Sequence, residues 1–132
     1  MLLDASALMA LLRRESGWDV VQRCLSDETC LISVVQLVEV EGKLVGAGQF
    51  TLEAVATALT GLAQVLEVVP FTLEMQRAAS FYAARRRPYN LSLGDCLCLG
   101  AAQTLDAEVL TGEQAWSGIP DLPITVRLIR TR

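Results

Sequence analysis

Leu91-Ser92-Leu93-Gly94-Asp95-Cys96-Leu97-Cys98-Leu99-Gly100-Ala101-Ala102 reads as a helix with Ser92 at its N-cap and apolar residues on nearly every side. A helix of that kind belongs in the middle of a domain. Its one charge, Asp95, falls in the first turn, where burying an unpaired carboxylate costs several kcal/mol unless a cation or hydrogen-bond donors compensate. Two readings stand. In the first, Asp95 closes a capping box by reaching back to the Ser92 amide. In the second, it forms one wall of an acidic pocket at the helix N-terminus.

Working outward, helices alternate with short apolar strands. Upstream, Thr72 opens a helix that runs through Met75, Ala79 and Tyr82 to Arg85-Arg86-Arg87, where Pro88 forbids continuation. Before it, Leu66 to Val69 reads as a strand stopped by Pro70, and Thr51 caps a helix to about Leu62. Cys30 to Ser33 is a strand that leads into a helix from Val34 to about Val45. Gly17 restarts the chain into a helix whose Trp18, Val20, Val21 and Leu25 fall at core spacing. The chain begins with a short strand ending at Asp4 and a helix to about Arg14. Downstream of the central helix, Glu108 to Thr111 and Ile124 to Ile129 read as the last two strands. The pattern predicts a single α/β domain over residues 1–132, with about five parallel strands and helices on both faces.

Composition narrows the chemistry. Of the 132 residues, 52% are hydrophobic and 20% charged, which predicts a well-filled core and an apolar surface covered by a partner. Cys24, Cys30, Cys96 and Cys98 form no CxxC pattern and read as small core residues of a cytoplasmic protein. Neither a signal peptide nor a membrane span is expected. Histidine is absent and Lys43 is the only lysine. That removes histidine-based triads, histidine metal ligands and a phosphate-loop lysine, and leaves carboxylates to do acid–base work. A net charge of −4 weighs against a general nucleic-acid binder, although acids gathered around a metal behave as a cation site.

The acids fall where a parallel sheet would collect them. Asp4, an acid from Glu39 or Glu41, Asp95 and Glu113 all stand at strand ends or helix starts on the carboxyl edge, where open α/β sheets place ligands. Like charges gathered there raise one another's pKa values unless a cation is bound. Magnesium or manganese suits such a set, and a site of that type can activate water against a phosphodiester. Each acid also has a local explanation. Asp4 can cap the first helix with Ser6 in support, Glu39 can pair with Lys43 one turn on, and Glu113 can be a solvated turn residue. Helical periodicity does not choose between Glu39 and Glu41.

Four stretches together resemble the PIN-domain family, and within it the VapC-type toxins of toxin–antitoxin pairs. They are Leu3-Asp4-Ala5-Ser6-Ala7-Leu8, Ile32 to Val40, Leu91 to Cys96, and Val109-Leu110-Thr111-Gly112-Glu113-Gln114-Ala115-Trp116. The resemblance implies a magnesium- or manganese-dependent endoribonuclease. It places Asp4, Glu39 and Asp95 among the metal-binding acids, settling Glu39 over Glu41, with Ser6 and Thr111 as supporting hydroxyls. Glu113 departs from the aspartate common there, and its extra methylene changes the bite on a metal. The implied partners are an RNA substrate, a small antitoxin and a second copy in a homodimer. Arg85, Arg86 and Arg87, and Arg127, Arg130 and Arg132, are the candidate contacts to RNA phosphates.

Two other readings remain in view. A receiver-type signalling domain needs an aspartate at the end of the third strand and a late lysine, but that strand ends Val68-Val69-Pro70 and no lysine follows Lys43. A two-aspartate phosphatase needs an aspartate where Ser6 stands. The alternative that survives is a catalytically degenerate PIN fold acting as an RNA- or protein-binding module.

Overall fold

Every expected strand and helix forms, and the differences lie at their ends. In the computed structural model, which describes residues 1–130, the strands are β1 (Leu2–Leu3), β2 (Cys30–Ser33), β3 (Leu66–Val69), β4 (Val109–Thr111) and β5 (Val126–Leu128). The helices are α1 (Ala5–Arg13), α2 (Trp18–Asp27), α3 (Val34–Gly46), α4 (Leu52–Leu62), α5 (Leu73–Ala83) and α6 (Leu93–Leu105). Short 3-10 turns occupy Arg87–Tyr89 and Gln114–Gly118. The strands make one parallel sheet in the order β3-β2-β1-β4-β5.

Side-chain alternation divides the core into two layers. Leu3, Ile32 and Leu110 face Leu8, Val21, Val40 and Leu44. Leu2 and Val109 face Cys98, Leu99, Met75 and Trp116 on the opposite side. Burying a large aliphatic side chain contributes about 1.5–3 kcal/mol, so these two layers hold the helices to the sheet. All four cysteines are free and buried, as small core residues should be.

The middle of α6 is as central as its composition requires, with Cys96, Cys98, Leu99, Ala101 and Ala102 buried. Gly100 lets α5 approach closely, because a Cβ there would lie 2.5 Å from the Ala79 nitrogen. The start of α6 is different. Leu93 is 57% exposed, so the helix enters the core from solvent and is not apolar-buried along its whole length.

Four further ends depart from the sequence reading. β1 stops at Leu3, because Asp4 takes the extended N-cap conformation and accepts the Ala7 amide with its side chain. α5 ends at Ala83, short of the arginine cluster, and the chain turns before Pro88 enters a 3-10 turn. β5 is three residues long, although backbone bonds from Val109 to Thr125 and from Ile129 to Thr111 continue its ladder at both ends. In α2, Val21 and Leu25 are buried, whereas Trp18 is only partly covered and carries the Arg14 guanidinium 4.3 Å from its ring centroid. Among the described residues, no helix is long and apolar enough to cross a membrane.

Candidate active site

The register of the sheet brings distant residues to one edge. Leu3 pairs with Ile32 on one side and with Leu110 on the other, so Asp4, Ser33 and Thr111 emerge side by side. Ser33 caps α3, which carries Glu39 in its second turn, and Ser92 caps α6, which carries Asp95 in its first. Asp4, Glu39, Asp95 and Glu113 consequently line one cavity of about 200 Å³. Ser6 and Gln36 line it as well, together with two cations, Lys43 and Arg130. Glu15 is a fifth carboxylate on the same wall, one that no sequence motif marked.

Asp4 is the hub. Its Oδ1 accepts from the Ser6 hydroxyl at 2.7 Å and the Ala7 amide at 3.0 Å, and its Oδ2 accepts from the Thr111 hydroxyl at 2.7 Å. The hydroxyls are themselves fixed, since the Gly112 amide donates to Ser6 and the Glu113 amide donates to Thr111. Ser6 and Thr111 therefore hold the Asp4 carboxylate between them, and Asp4 is at once helix cap and cavity wall. Burial raises its pKa to about 6 from 3.8, against the lowering by its three donors, with the Glu113 charge adding to the rise.

Asp95 also fills both of its alternative roles. Its Oδ2 accepts the Ser92 amide at 2.9 Å while its own amide donates to the Ser92 hydroxyl at 3.1 Å, completing the capping box. The same carboxylate faces the cavity. Partial desolvation raises Glu113, helped by the Asp95 and Glu39 charges and opposed by Lys43 and Arg130.

Glu39 is the acid of its pair that reaches the cavity; Glu41 does not line it. The Glu39 carboxylate rests on Gly94, where a Cβ would meet Oε1 at 2.6 Å, so that glycine makes room for the acid. Its Oε2 accepts from Lys43 Nζ at 3.0 Å, so the local i,i+4 pair is present too.

A hard divalent ion suits these donors, because all are carboxylates, and burial, which raises Asp4 and Glu113, disfavours their charged forms in its absence. The side chains as they stand do not enclose one. Among the described residues, no three acidic or cysteine side chains form a metal-holding group. Lys43 holds one oxygen of Glu39, and the Ser92 amide holds one oxygen of Asp95. The donor chemistry suits a hard cation.

The arginine candidates separate. Arg130 lines the acidic cavity and donates from Nη1 to the Ser16 carbonyl at 2.9 Å. Arg85, Arg86 and Arg87 are exposed and lie outside it. Arg85 stacks 3.8 Å from the Phe81 ring centroid and borders a separate cavity with Tyr82 and Tyr89. Arg127 bridges Glu28 at 2.7 Å and Glu108 at 2.8 Å, which assigns it to the framework. Arg132 lies outside the described residues.

The residue that sequence reasoning missed is Gln36. It sits three positions before Glu39 on the same helical face, and an uncharged polar residue in the apolar run Val34-Val35-Gln36-Leu37-Val38 was the available signal.

Comparison with curated protein sequences finds no match. Solved structures share the fold over almost their whole length. A toxin–antitoxin complex from Klebsiella pneumoniae matches with a TM-score of 0.68 and 20% identity, covering 99% of this chain and 98% of that one. VapBC2 from Rickettsia felis, bound to a DNA fragment from its promoter, matches at 0.72 and 16%, covering 96% of each chain. VapC20 from Mycobacterium tuberculosis, a sarcin-ricin loop cleaving toxin, matches at 0.71 and 17%, covering 94% of this chain and 98% of that one. The sequence itself matches the PIN domain over residues 1–122, and the chain belongs to the PIN-domain family.

Proposed function

We propose that this protein is a divalent-metal-dependent endoribonuclease and the toxin of a toxin–antitoxin pair. The observation that carries the reading is the convergence of Asp4, Glu39, Asp95 and Glu113, from four separate elements, on one cavity of a chain that has no histidine. Fold alone does not assign chemistry, and the carboxylates supply what the fold cannot. The RNA cleavage named for the Mycobacterium tuberculosis neighbour and the toxin–antitoxin assembly named for the Klebsiella pneumoniae one agree with it.

Asp4, Glu39 and Asp95, with Glu113 beside them, are the residues that would hold magnesium or manganese, which when bound supplies Lewis-acid activation of water and charge stabilisation at phosphate. The chain's own contribution is orientation and proton handling. Ser6 and Thr111 keep the Asp4 carboxylate from turning, because each hydroxyl is fixed by an amide of the β4 loop. Glu113, exposed at the rim and raised in pKa, is placed to accept a proton from the attacking water. Arg130 and Lys43 offer positive charge to phosphate oxygens within a cavity that is otherwise acidic.

The toxin–antitoxin assembly named for the Klebsiella pneumoniae neighbour supports a protein partner. A small antitoxin and a second copy of the chain are the proposed partners, and the cytoplasm is the proposed location.

The competing reading is a degenerate PIN module that binds RNA or protein without cutting. The Glu39–Lys43 pair favours it, since a lysine then takes the place of the ion permanently. Cleavage of total RNA by purified protein with manganese, magnesium or EDTA, alongside Asp95→Asn, separates the two. Metal-dependent fragments that vanish in the variant are expected. Absence of cleavage together with no detectable manganese binding by the wild type would establish the module instead.

A further inference from the structure

Of the three buried side chains of α3, Gln36, Val40 and Leu44, only Gln36 is polar, and it is 2% exposed. A buried carboxamide is tolerated where both its ends are bonded. Here both are bonded, and to different helices. Its Oε1 accepts the Ala5 amide at 3.0 Å, and its Nε2 donates to the Gly94 carbonyl at 3.0 Å. Ala5 follows Asp4 directly and Gly94 precedes Asp95 directly. One side chain therefore joins the backbone beside the first acid to the backbone beside the third.

The second acid meets the same point. Gln36 and Glu39 share a face of α3, and the Glu39 carboxylate lies against Gly94 so closely that a Cβ there would come within 2.9 Å of both its oxygens. Asp4, Glu39 and Asp95 line one cavity, and like charges that share a cavity disfavour one another, so the spacing of the backbones that carry them matters.

We infer that Gln36 is a positioning residue, whose carboxamide sets the spacing of Asp4, Glu39 and Asp95 by tying the first turns of α1 and α6 across α3. It touches no substrate and acts only through the acids. The inference rests on the proposed catalytic reading of the cavity, but its central geometric statement can be tested without any metal or RNA.

The test uses full-length protein and three variants or states. Gln36→Met keeps the length of the side chain and removes both bonds. Two amides report where the acids stand: Ala7, held by Asp4, and Ser92, held by Asp95. In metal-free protein, Gln36→Met is expected to speed hydrogen exchange at Ala7 and Ser92 several-fold, while the Leu99 amide in the core of α6 keeps its protection. Manganese affinity, measured by calorimetry with the metal alone, is expected to fall about tenfold or more. Gln36→Glu keeps the acceptor for Ala5 and loses the donor for Gly94. Exchange at Ser92 should therefore rise in Gln36→Glu while Ala7 stays near the wild-type rate.

Unchanged exchange at Ala7 and Ser92 in Gln36→Met overturns the inference whatever the metal does. Equal loss of protection at Leu99 also overturns it, since Gln36 would then be holding the fold and not the acids. A wild type that binds no manganese, combined with loosened Ala7 and Ser92 in the variant, would sink the nuclease reading and leave the positioning role standing.

Discussion

The two ends of this sheet treat charge in opposite ways. At the amino end, Glu28 and Glu108 precede β2 and β4, and Arg127 reaches both, at 2.7 and 2.8 Å. At the carboxyl end, Asp4, Glu15, Glu39, Asp95 and Glu113 line one cavity with Lys43 and Arg130, and Arg13 lies 3.7 Å from Glu15. The amino end is neutralised within the fold, and Glu28 is held below the usual carboxylate range by its bond to Arg127. The carboxyl end is left short of positive charge, and Asp4 is pushed up to about 6, chiefly by burial. Fold stability alone favours the first arrangement. Acids gathered at a desolvated edge, one of them shifted by burial, mark a candidate functional site.

The comparison is most exposed to a direct exchange of acids. Asp95→Asn and Asp4→Asn should each lower metal-dependent RNA cleavage about 100-fold or more, while Glu108→Gln at the other end leaves it unchanged. Equal losses at both ends would show that the distinction is false, and a gel-based cleavage assay decides it.

The cost of the unrelieved end should be visible as a pH dependence. Folded Asp4 holds its proton up to about 6 where the ordinary value is 3.8, so between those values the folded chain binds more protons than the unfolded one. Stability must therefore fall as pH rises through that window, with a deficit of up to about 3 kcal/mol fully present at neutral pH and above. In EDTA, Asp4→Asn should be more stable than the wild type at about pH 7.5, and its advantage should shrink as pH falls toward about 4. Parallel urea midpoints for the two proteins across that range would contradict it.

Replacing Arg85, Arg86 and Arg87 with glutamine tests a cationic surface that belongs to neither end. Because these side chains lie outside the cavity, RNA affinity should drop about tenfold and the salt slope by about two, with the maximal cleavage rate unchanged. The smallest effect is expected at the amino end. Arg127→Met should lower the melting temperature by a few degrees, since the pairs it breaks are partly exposed, and should leave cleavage within about twofold. A large loss of cleavage in that variant would mean the two ends are coupled.

The architecture was legible because a buried parallel strand is a short apolar run, as Cys30 to Ser33 is, and because Pro70 bounds the edge strand Leu66 to Val69 even though Glu67 and Val68 face solvent. The acids were legible because strand ends and helix starts collect at one edge whatever the intervening sequence. Their bonding was not. Asp95 was posed as either cap or cavity wall, and it is both, because the carboxylate that accepts the Ser92 amide through Oδ2 also lines the cavity. The pull of Lys43 on Glu39 was readable from the i,i+4 spacing, but its consequence for metal binding needed the cavity. Arg130 and Arg127 are three residues apart in sequence and look alike there. One faces the acids and the other the framework, as decided by how β5 seats against β4. Gln36 shows locally only as a polar residue in an apolar run, and its role is not legible there because its partners lie 31 and 58 residues away.

β1 comes before the other four strands in the chain and is the middle strand of the finished sheet, paired to β2 on one side and to β4 on the other. Asp4, which follows it, is oriented by Thr111, 107 residues further on, and, through Ser6, by Gly112. An emerging chain thus carries its first acid long before it carries the groups that aim it. The cavity takes shape only once β4 has been made, so a chain stalled before Thr111 lacks the groups that aim Asp4.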